Sequence, residues 1–568
     1  MADKFEVARA LREIALLLAA EGANPFKIRA YERGARAVEV LREDVTVLAR
    51  DGRLTEVPGI GAALASTITE IATTGRSAQL EKLKGRLPAG VLELQPVLSV
   101  ARIKAVHEAL GITTLDELKA AAEQGRLRAV SGFGQKTEAK VLASINALST
   151  RSEETLLYEA TREAEGVLEH LRGSAAVDAA EVGGALRRRR ETVSAIDVVV
   201  GSAKPSAAIE HTVAFALATN VLEKSATGAL IRLGAGVNLS VEVVSPARFA
   251  AALHHSTGTA EHRAKLAVVA ESRGLKLDDE GLTKAGRRLP LKTEADLYRH
   301  LGLPFIPPEM REDAGEVEAA VRGTLPDDLV TLDDIRGLVH CHTHYSDGKH
   351  SVLEMARGAE TMGMKYITIT DHSPTAHYAG GLPLDRLKRQ WEDIDKAQEQ
   401  VKVTLLRGTE SDILADGNLD YPDEVLERLD VIIASVHNRH KMDSAAMTKR
   451  ITTAMRKPQF KVWGHALGRY VLTRPPFACD VEKILDVIAE SRAAVEINGD
   501  PHRLDMEPRW IREARKRDIQ FVISTDAHSV KGMENFRWGV DMARRGWVRK
   551  GEVLNTLAVE GFREAVRP

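Results

Sequence analysis

Cysteine and aromatic rings are scarce in this sequence. Cys341 and Cys479 are the only thiols in 568 residues. Two thiols cannot build a disulfide framework, which fits a reducing, cytoplasmic setting. Aromatic residues make up 4% of the chain, so its cores must be largely aliphatic. The abundant Ala, Leu, Glu and Arg favour helices on the outside of several compact domains. An excess of charge of either sign is also missing. The formal net charge is −2, so any surface for nucleic acid must be a local patch. No run is long and apolar enough to span a bilayer, and the opening MADKFEVARALREIALLLAAEG is amphipathic and lacks a signal-peptide layout. No membrane partner is expected, and the length calls for three or more domains.

What is present is concentrated in the C-terminal third. His340, His342, Asp347, His372, Glu410, His437, His465, Asp526 and His528 nearly all terminate short apolar runs. LVHCHTHYSDG and STDAH each place two metal-type side chains at i and i+2, which on a strand share one face. YITITDH, VTLLRGTE, VIIASVH and KVWGH are β-rich stretches that each end in His or Glu. Strands that deliver ligands at their C-terminal ends are how a β/α barrel builds its active site. A single His after a strand is usually packed or capped, but nine such residues in strand order point to metal. Imidazole mixed with carboxylate suits Zn, Mn or Fe better than Mg or Ca. Nine ligands exceed the needs of one ion and predict two or three close together, the arrangement used for phosphoester hydrolysis. Cys341, between two ligands, is expected to face away from them and pack.

The first 150 residues read as helical. VPGIGAALASTI (Val57 to Ile68) and VSGFGQKTEAKVL (Val130 to Leu142) each join an apolar-x-Gly-apolar-Gly turn to a helix. Gly59, Gly61, Gly132 and Gly134, with Lys136, would present backbone N–H groups and charge to a phosphate without reading a base. Both segments resemble the helix-hairpin-helix motif of DNA-repair proteins. A third segment, PVLSVARIKAVHEALGI, has Leu98-Ser99-Val100 where the glycines would be and is not expected to bind phosphate. After residue 151, SAIDVVVG, GALIRLGAG and VNLSVEVV read as strands. In EVGGALRRRRETVSAIDVVV, Gly183 and Gly184 could approach a triphosphate, with Arg187 to Arg190 supplying charge. GLPFIPPEMRED is a Pro-marked exit, and DDLVTLDDIRG reads as a linker.

In this order the chain resembles a bacterial family X DNA polymerase (DNA polymerase beta-like) fused to a C-terminal PHP (polymerase and histidinol phosphatase) domain. GANPFKIRAYERGARAV, TEADLYRHLGLPFIPPEMREDAGEVEAA, LRGTESDILADGNLDYPDEVLERLDVIIASVH and EINGDPHRLDMEPRWI carry the likeness. It implies a multidomain α+β and α/β fold. A helix-hairpin-helix domain would occupy residues 1–80 and a second helical, fingers-like one 81–150. A nucleotidyltransferase palm would span 151–245 and a thumb 246–325. A linker, 326–337, would lead into a distorted β/α barrel at 338–568. The likeness makes all nine residues above metal ligands for Mn²⁺ or Zn²⁺ and implies a Mn-dependent 3′–5′ exonuclease. Arg503 is a candidate phosphate contact, with a salt bridge to Asp505 as the alternative.

The polymerase part departs from the family pattern. Three palm carboxylates hold two Mg²⁺ or Mn²⁺ ions in the family. Here the positions read Ala195, Asp197 and Ser240, so Asp197 alone remains, with Glu242 one rung away. Ala185 replaces the family Ser after Gly184. The thumb keeps Thr257 and Gly258 but has Arg263 in place of Asn. Gly184, Arg187, Arg188 and Gly258 would contact a dNTP if one binds. The resemblance therefore implies a DNA-repair protein acting mainly as an exonuclease on gapped, nicked or 3′-end-containing DNA, with polymerase activity weak or absent. The alternatives are a Mn-dependent gap-filling polymerase with a reduced metal site and a DNA-binding repair scaffold.

Overall fold

The structure is a computed structural model that describes residues 4–21, 23–39, 45–57, 59–84, 94, 97–151, 154–234 and 236–567. It comprises two compact units, Met1–Ser152 and Glu153–Pro568. The first unit is helical. Lys4–Ala20, Pro25–Glu39, Ala62–Thr74, Val100–Leu110, Leu115–Glu123 and Gln135–Arg151 are its longer helices. They bury an aliphatic core that includes Leu11, Ile14, Ile68, Ile103, Leu118 and Val141. Two turns in it are built alike. Gly52 (φ 69°) and Gly125 (φ 70°) each open a 3₁₀ turn, Arg53–Glu56 and Arg126–Ala129. Val57 and Val130 close these turns in extended conformation. Gly59 (φ 93°) and Gly132 (φ 83°) then take the left-handed backbone that glycine tolerates best.

In the second unit, helix Leu157–Arg172 leads into a five-stranded sheet. Its strands are β1 (Ala179–Val182), β2 (Ala195–Gly201), β3 (Ala218–Lys224), β4 (Gly228–Leu233) and β5 (Asn238–Val244), in the order β1-β2-β5-β4-β3. Only β2 and β5 run parallel, with Asp197 opposite Ser240 and Ala195 opposite Asn238. Helices Phe249–Thr257 and Ala260–Ser272 follow, then a three-stranded antiparallel sheet and helix Glu294–His300. Residues 326–337, expected as a linker, are packed in place. The Val330 amide donates to the Val548 carbonyl at 3.0 Å, and its side chain is fully buried.

Seven parallel strands make the barrel: β6 (Gly337–Cys341), β7 (Tyr366–Ile369), β8 (Thr404–Asp412), β9 (Val431–Ser435), β10 (Lys461–Trp463), β11 (Ala493–Asn498) and β12 (Phe521–Ser524). They pair in chain order. Hydrogen bonds from Ala527 to the His340 carbonyl (3.1 Å) and from His342 to the Ala527 carbonyl (2.8 Å) join the first strand to the last. The strands read as continuous apolar runs because both faces are covered. One face packs outward on amphipathic helices such as Leu384–Gln398, whose Leu387, Trp391, Ile394 and Ala397 are buried. The other face fills the interior with Val339, Tyr366, Leu406, Ile433, Val462, Ala494 and Val522. The last helix, Val559–Val566, plugs the bottom, where Phe562 stacks on Tyr366 with centroids 4.7 Å apart.

Candidate metal centre

Above that apolar plug the inward positions turn polar. Counting by twos from Leu406, β8 places Gly408, Glu410 and Asp412 on the inner face. From Val522 the same period leads through Ser524 to Asp526, from Ile433 to His437, and from Ala494 to Glu496 and Asn498. β6 departs from this rule. Val339 faces in, so regular alternation would turn His340 out, but His340 takes a left-handed backbone (φ 65°) and the register with β7 slips there. Both His340 and His342 therefore point inward, and Cys341 packs in the outer core as expected. Asp526 (φ 46°) is likewise left-handed. Such backbone costs energy and clusters where function requires it.

All nine side chains converge. Glu410 stands at the centre: its Oε1 lies 2.7 Å from His465 Nε2 and 2.9 Å from His437 Nε2. Its Oε2 lies 3.0 Å from His372 Nδ1, 3.3 Å from His340 Nε2 and 3.5 Å from His342 Nε2. Asp526 Oδ1 is 3.4 Å from His342 Nε2 and 3.6 Å from His340 Nε2. Asp347 reaches His528 Nε2 at 3.3 Å and His372 Nε2 at 3.6 Å. Three overlapping groups are compact enough for one ion each: His342, Asp347, His372 and His528; His340, His342 and Asp526; His372, Glu410 and His437.

Further residues orient these ligands, and sequence reasoning missed them. Glu496 Oε1 lies 2.5 Å from His340 Nδ1, and its other oxygen accepts from the His465 amide. Asp412 Oδ1 lies 2.6 Å from His437 Nδ1. Asp371 accepts from the Thr343 amide and hydroxyl at 2.8 and 2.6 Å and holds the loop that carries Asp347. Carboxylates inside otherwise apolar strands, as in AAVEIN, were the available signal. Outer partners of this kind fix the imidazole tautomer.

The electrostatics suit a cation. Burial would raise Glu410 and Asp526, yet the surrounding imidazoles hold both well below the usual carboxylate range. Burial opposes charge on His340, but Glu496, Asp526 and Glu410 raise it well above its ordinary value. Against burial, Glu410 and Asp412 raise His437 to about 9. His342, buried beside His528 and His372, falls to about 4. His340 Nε2, His342 Nε2 and His372 Nδ1 face Glu410 without the geometry of a hydrogen bond, and His465 Nδ1 is buried with no hydrogen-bond partner. Orphaned imidazole nitrogens around shared carboxylates are a donor set that a divalent ion satisfies.

A cleft of about 240 Å³ opens onto the centre. Tyr378, His440, Tyr470, Arg474, Asp500 and Arg503 line it beside the ligands. Arg503 does not pair with Asp505. Its Nε lies 3.2 Å from Asp526 Oδ2, and its guanidinium sits 4.4 Å over the Tyr470 ring. Asp505 instead accepts from the Leu467 amide at 2.9 Å.

Residues 339–500 match the PHP domain, 252–312 the DNA polymerase beta thumb, 2–77 a helix-hairpin-helix domain and 98–147 a SAM-like helix-hairpin-helix tandem. Over 564 residues the chain is 32% identical to the DNA polymerase/3′-5′ exonuclease PolX of Bacillus subtilis (strain 168), covering 98% of each protein. The chain belongs to the family X DNA polymerases that carry a C-terminal PHP domain. Its PHP part is also 28% identical over 229 residues to a probable phosphatase of Thermoanaerobacter sp. (strain X514), covering 38% of this chain and 89% of that protein. A probable phosphatase of Clostridium acetobutylicum is 26% identical over 212 residues, covering 35% and 82%. The matched PHP range ends at residue 500, whereas Asp526 and His528 lie beyond it and complete the centre.

In the palm of this family X chain, the strand register sets Asp197 beside Ser240, and among the described residues no group of three or more metal-type side chains includes Asp197. Glu242 is exposed on the same strand, opposite Val199. Burial raises the Asp197 pKa. Gly184 (φ 56°) packs so closely that a Cβ there would lie 1.9 Å from Asp197 Oδ2. The arginines that were to offer charge to a triphosphate are engaged by carboxylates. Arg187 forms a fork with Glu294 at 2.9 and 2.5 Å and donates to Thr257 Oγ1 at 2.8 Å. Arg188 lies 3.3 Å from Glu312 and donates to the Thr257 carbonyl at 2.6 Å. Arg189 lies 3.5 Å from Asp541, and Arg190 3.7 Å from Glu312. Gly258 ends its helix with no room for a Cβ, which would meet His262 at 2.8 Å. Arg263 donates to the His255 carbonyl at 2.6 Å. In the helical unit, Gly59, Gly61, Gly132 and Gly134 border open space, and Lys136 is exposed. Leu98-Ser99-Val100 carry no such turn, and Ser99 precedes helix Val100–Leu110 as its N-cap. Among the described residues, no helix is long and apolar enough to cross a membrane.

Proposed function

We propose that this family X chain acts mainly as a metal-dependent 3′–5′ exonuclease through its PHP centre, on gapped, nicked or 3′-end-containing DNA, with polymerisation weak or absent. The observation that carries this reading is the convergence of nine metal-type side chains, Glu410 central among them, next to a cleft holding Arg503. His340, His342, Asp347, His372, Glu410, His437, His465, Asp526 and His528 would hold two or three Mn²⁺ or Zn²⁺ ions. When bound, such ions neutralise phosphate charge and acidify water for attack. Arg503 offers a planar guanidinium to a phosphate oxygen, and Asp526 aims it. Tyr378, 71% exposed at the cleft, and Tyr470 offer rings on which a terminal base can stack. Gly59, Gly61, Gly132, Gly134 and Lys136 would grip the DNA backbone, adding salt-dependent affinity.

The palm supports the second half of the proposal. Asp197 alone cannot hold two ions for nucleotidyl transfer, and Arg187 and Arg188 are already paired. A dNTP at Gly184 and Gly258 would therefore meet little free charge. The Bacillus relative is named a polymerase as well as an exonuclease, which favours gap filling with a reduced site as the second reading. Nucleotide release from a 3′-labelled gapped duplex with Mn²⁺ tests the first. It should disappear in Asp526→Ala and His342→Ala and persist in Asp197→Ala. Primer extension by wild type that Asp197→Ala abolishes would establish the second. Gap binding with no turnover under any divalent ion would leave the scaffold role.

A further inference from the structure

Glu191 follows directly on the arginine run Arg187 to Arg190 of the palm. Its side chain is 15% exposed, and it faces two arginines of the barrel. Oε2 accepts from Arg545 at 2.6 Å, and Oε1 lies 3.4 Å from Arg469. Arg469 sits in the loop that follows His465. From there it grips the neighbouring loop. Its Nε donates to the Arg503 carbonyl at 2.9 Å, and a terminal nitrogen donates to the Leu504 carbonyl. Leu504 is left-handed (φ 45°), a conformation that its surroundings must enforce. Arg503, whose carbonyl is thus held, sends its side chain over Tyr470 to Asp526.

We propose that Glu191, a palm residue, is a positioning residue for the PHP centre: it fixes Arg469, and through Arg469 the loop that aims Arg503 at the phosphate. The inference rests on the phosphodiesterase reading above. The two arginines differ in what they keep when Glu191 is neutralised. Arg545 retains Glu312 at 2.9 Å. Arg469 retains Glu507 at 3.4 Å, a carboxylate shared with Arg509. A buried cation short of counter-charge shifts toward other acceptors, so the displacement falls on Arg469 and the loop it holds. The palm thus serves the barrel even where its own metal site has lost two carboxylates.

The test uses the full chain loaded with Mn²⁺. Wild type, Glu191→Gln and Glu312→Gln are compared for affinity toward inorganic phosphate by calorimetry, for KM and kcat on a 3′-labelled duplex, and for metal content. Glu312→Gln removes a half-buried carboxylate from Arg545, Arg188 and Arg190 without touching Arg469, so it controls for destabilisation alone. Glu191→Gln is expected to weaken phosphate binding and raise KM about tenfold at unchanged metal content. Glu312→Gln should lower Tm and leave both values alone. In an Arg503→Ala background, Glu191→Gln should add nothing. Wild-type phosphate affinity in Glu191→Gln, an equal loss in Glu312→Gln, or a full tenfold loss in the Arg503→Ala background would each overturn the inference. A wild type that binds phosphate but turns over no DNA would sink the exonuclease reading alone, because the phosphate arm still decides the role of Glu191.

Discussion

Replacing Glu496 by Gln tests how the metal centre is organised without touching a ligand. Glu496 is fully buried on β11 and accepts from His340 Nδ1 on one oxygen and from the His465 amide and Asn498 Nδ2 on the other. Three donors surround it, which only a carboxylate satisfies. An amide of the same shape has two placements, and each fails. With its oxygen toward His340, the NH₂ group faces two donors. With the NH₂ group toward His340, Nδ1 must accept, the proton moves to Nε2, and the lone pair that faces Glu410 and Asp526 is lost. Outer partners of ligating imidazoles contribute about 10–100-fold in metal affinity, equivalent to roughly 1.4–2.7 kcal/mol. Chelator competition followed by elemental analysis should therefore show a loss of that size in Glu496→Gln, with an intact far-UV spectrum. A variant that holds metal within about twofold of wild type would refute the view that Glu496 sets the His340 tautomer.

Three other outcomes follow from the same structure. Burial would raise Glu191, but Arg545 and Arg469 lower it to about 2. Its stabilising contribution is complete above about pH 4.5 and is lost as pH falls toward 2, on the order of 3 kcal/mol; acid unfolding of Glu191→Gln should be correspondingly flatter across that window. Gly337→Ala would place a Cβ 2.0 Å from the Tyr366 ring, an overpacking that costs at least 1–3 kcal/mol and should appear as a lower Tm for the barrel. Stripping metal with a chelator should lower Tm as well, by a linkage of about 2.7 kcal/mol at a free ion concentration 100 times Kd. An unchanged Tm would show that the centre holds no ion under those conditions.

The candidate ligands were legible in the sequence because nearly all of them end an apolar run, and the period-two alternation carries Glu410, Asp526 and His437 inward from Leu406, Val522 and Ile433. His340 is marked by its residue type, but a left-handed backbone turns it inward rather than strand alternation. Glu496 and Asp412 were missed because a carboxylate next to ligands, inside a strand, carries no mark that separates an orienting role from coordination. The arginine run was visible as charge. Its partners were not, because Glu294 lies 107 residues beyond Arg187 and Arg545 lies 354 beyond Glu191. Arg503 illustrates the same limit: Asp505 is near in sequence, while Asp526 is near in space.

The pairing of β6 with the residues that follow β12 has a consequence for how the protein is made. Strands β6 to β11 can pair one after another as they leave the ribosome, but the outer edge of β6 waits for Ala527. His340 and His342 emerge well before Asp526 and His528. At about 5–20 residues per second, that interval is roughly 10 to 40 s. During it a nascent chain presents imidazoles and Glu410 without the ligands that complete two of the three groups, next to an unpaired strand edge. Any ion held by those two groups would therefore bind late in synthesis, and a chain on a ribosome stalled before codon 526 would have an open edge and two incomplete groups.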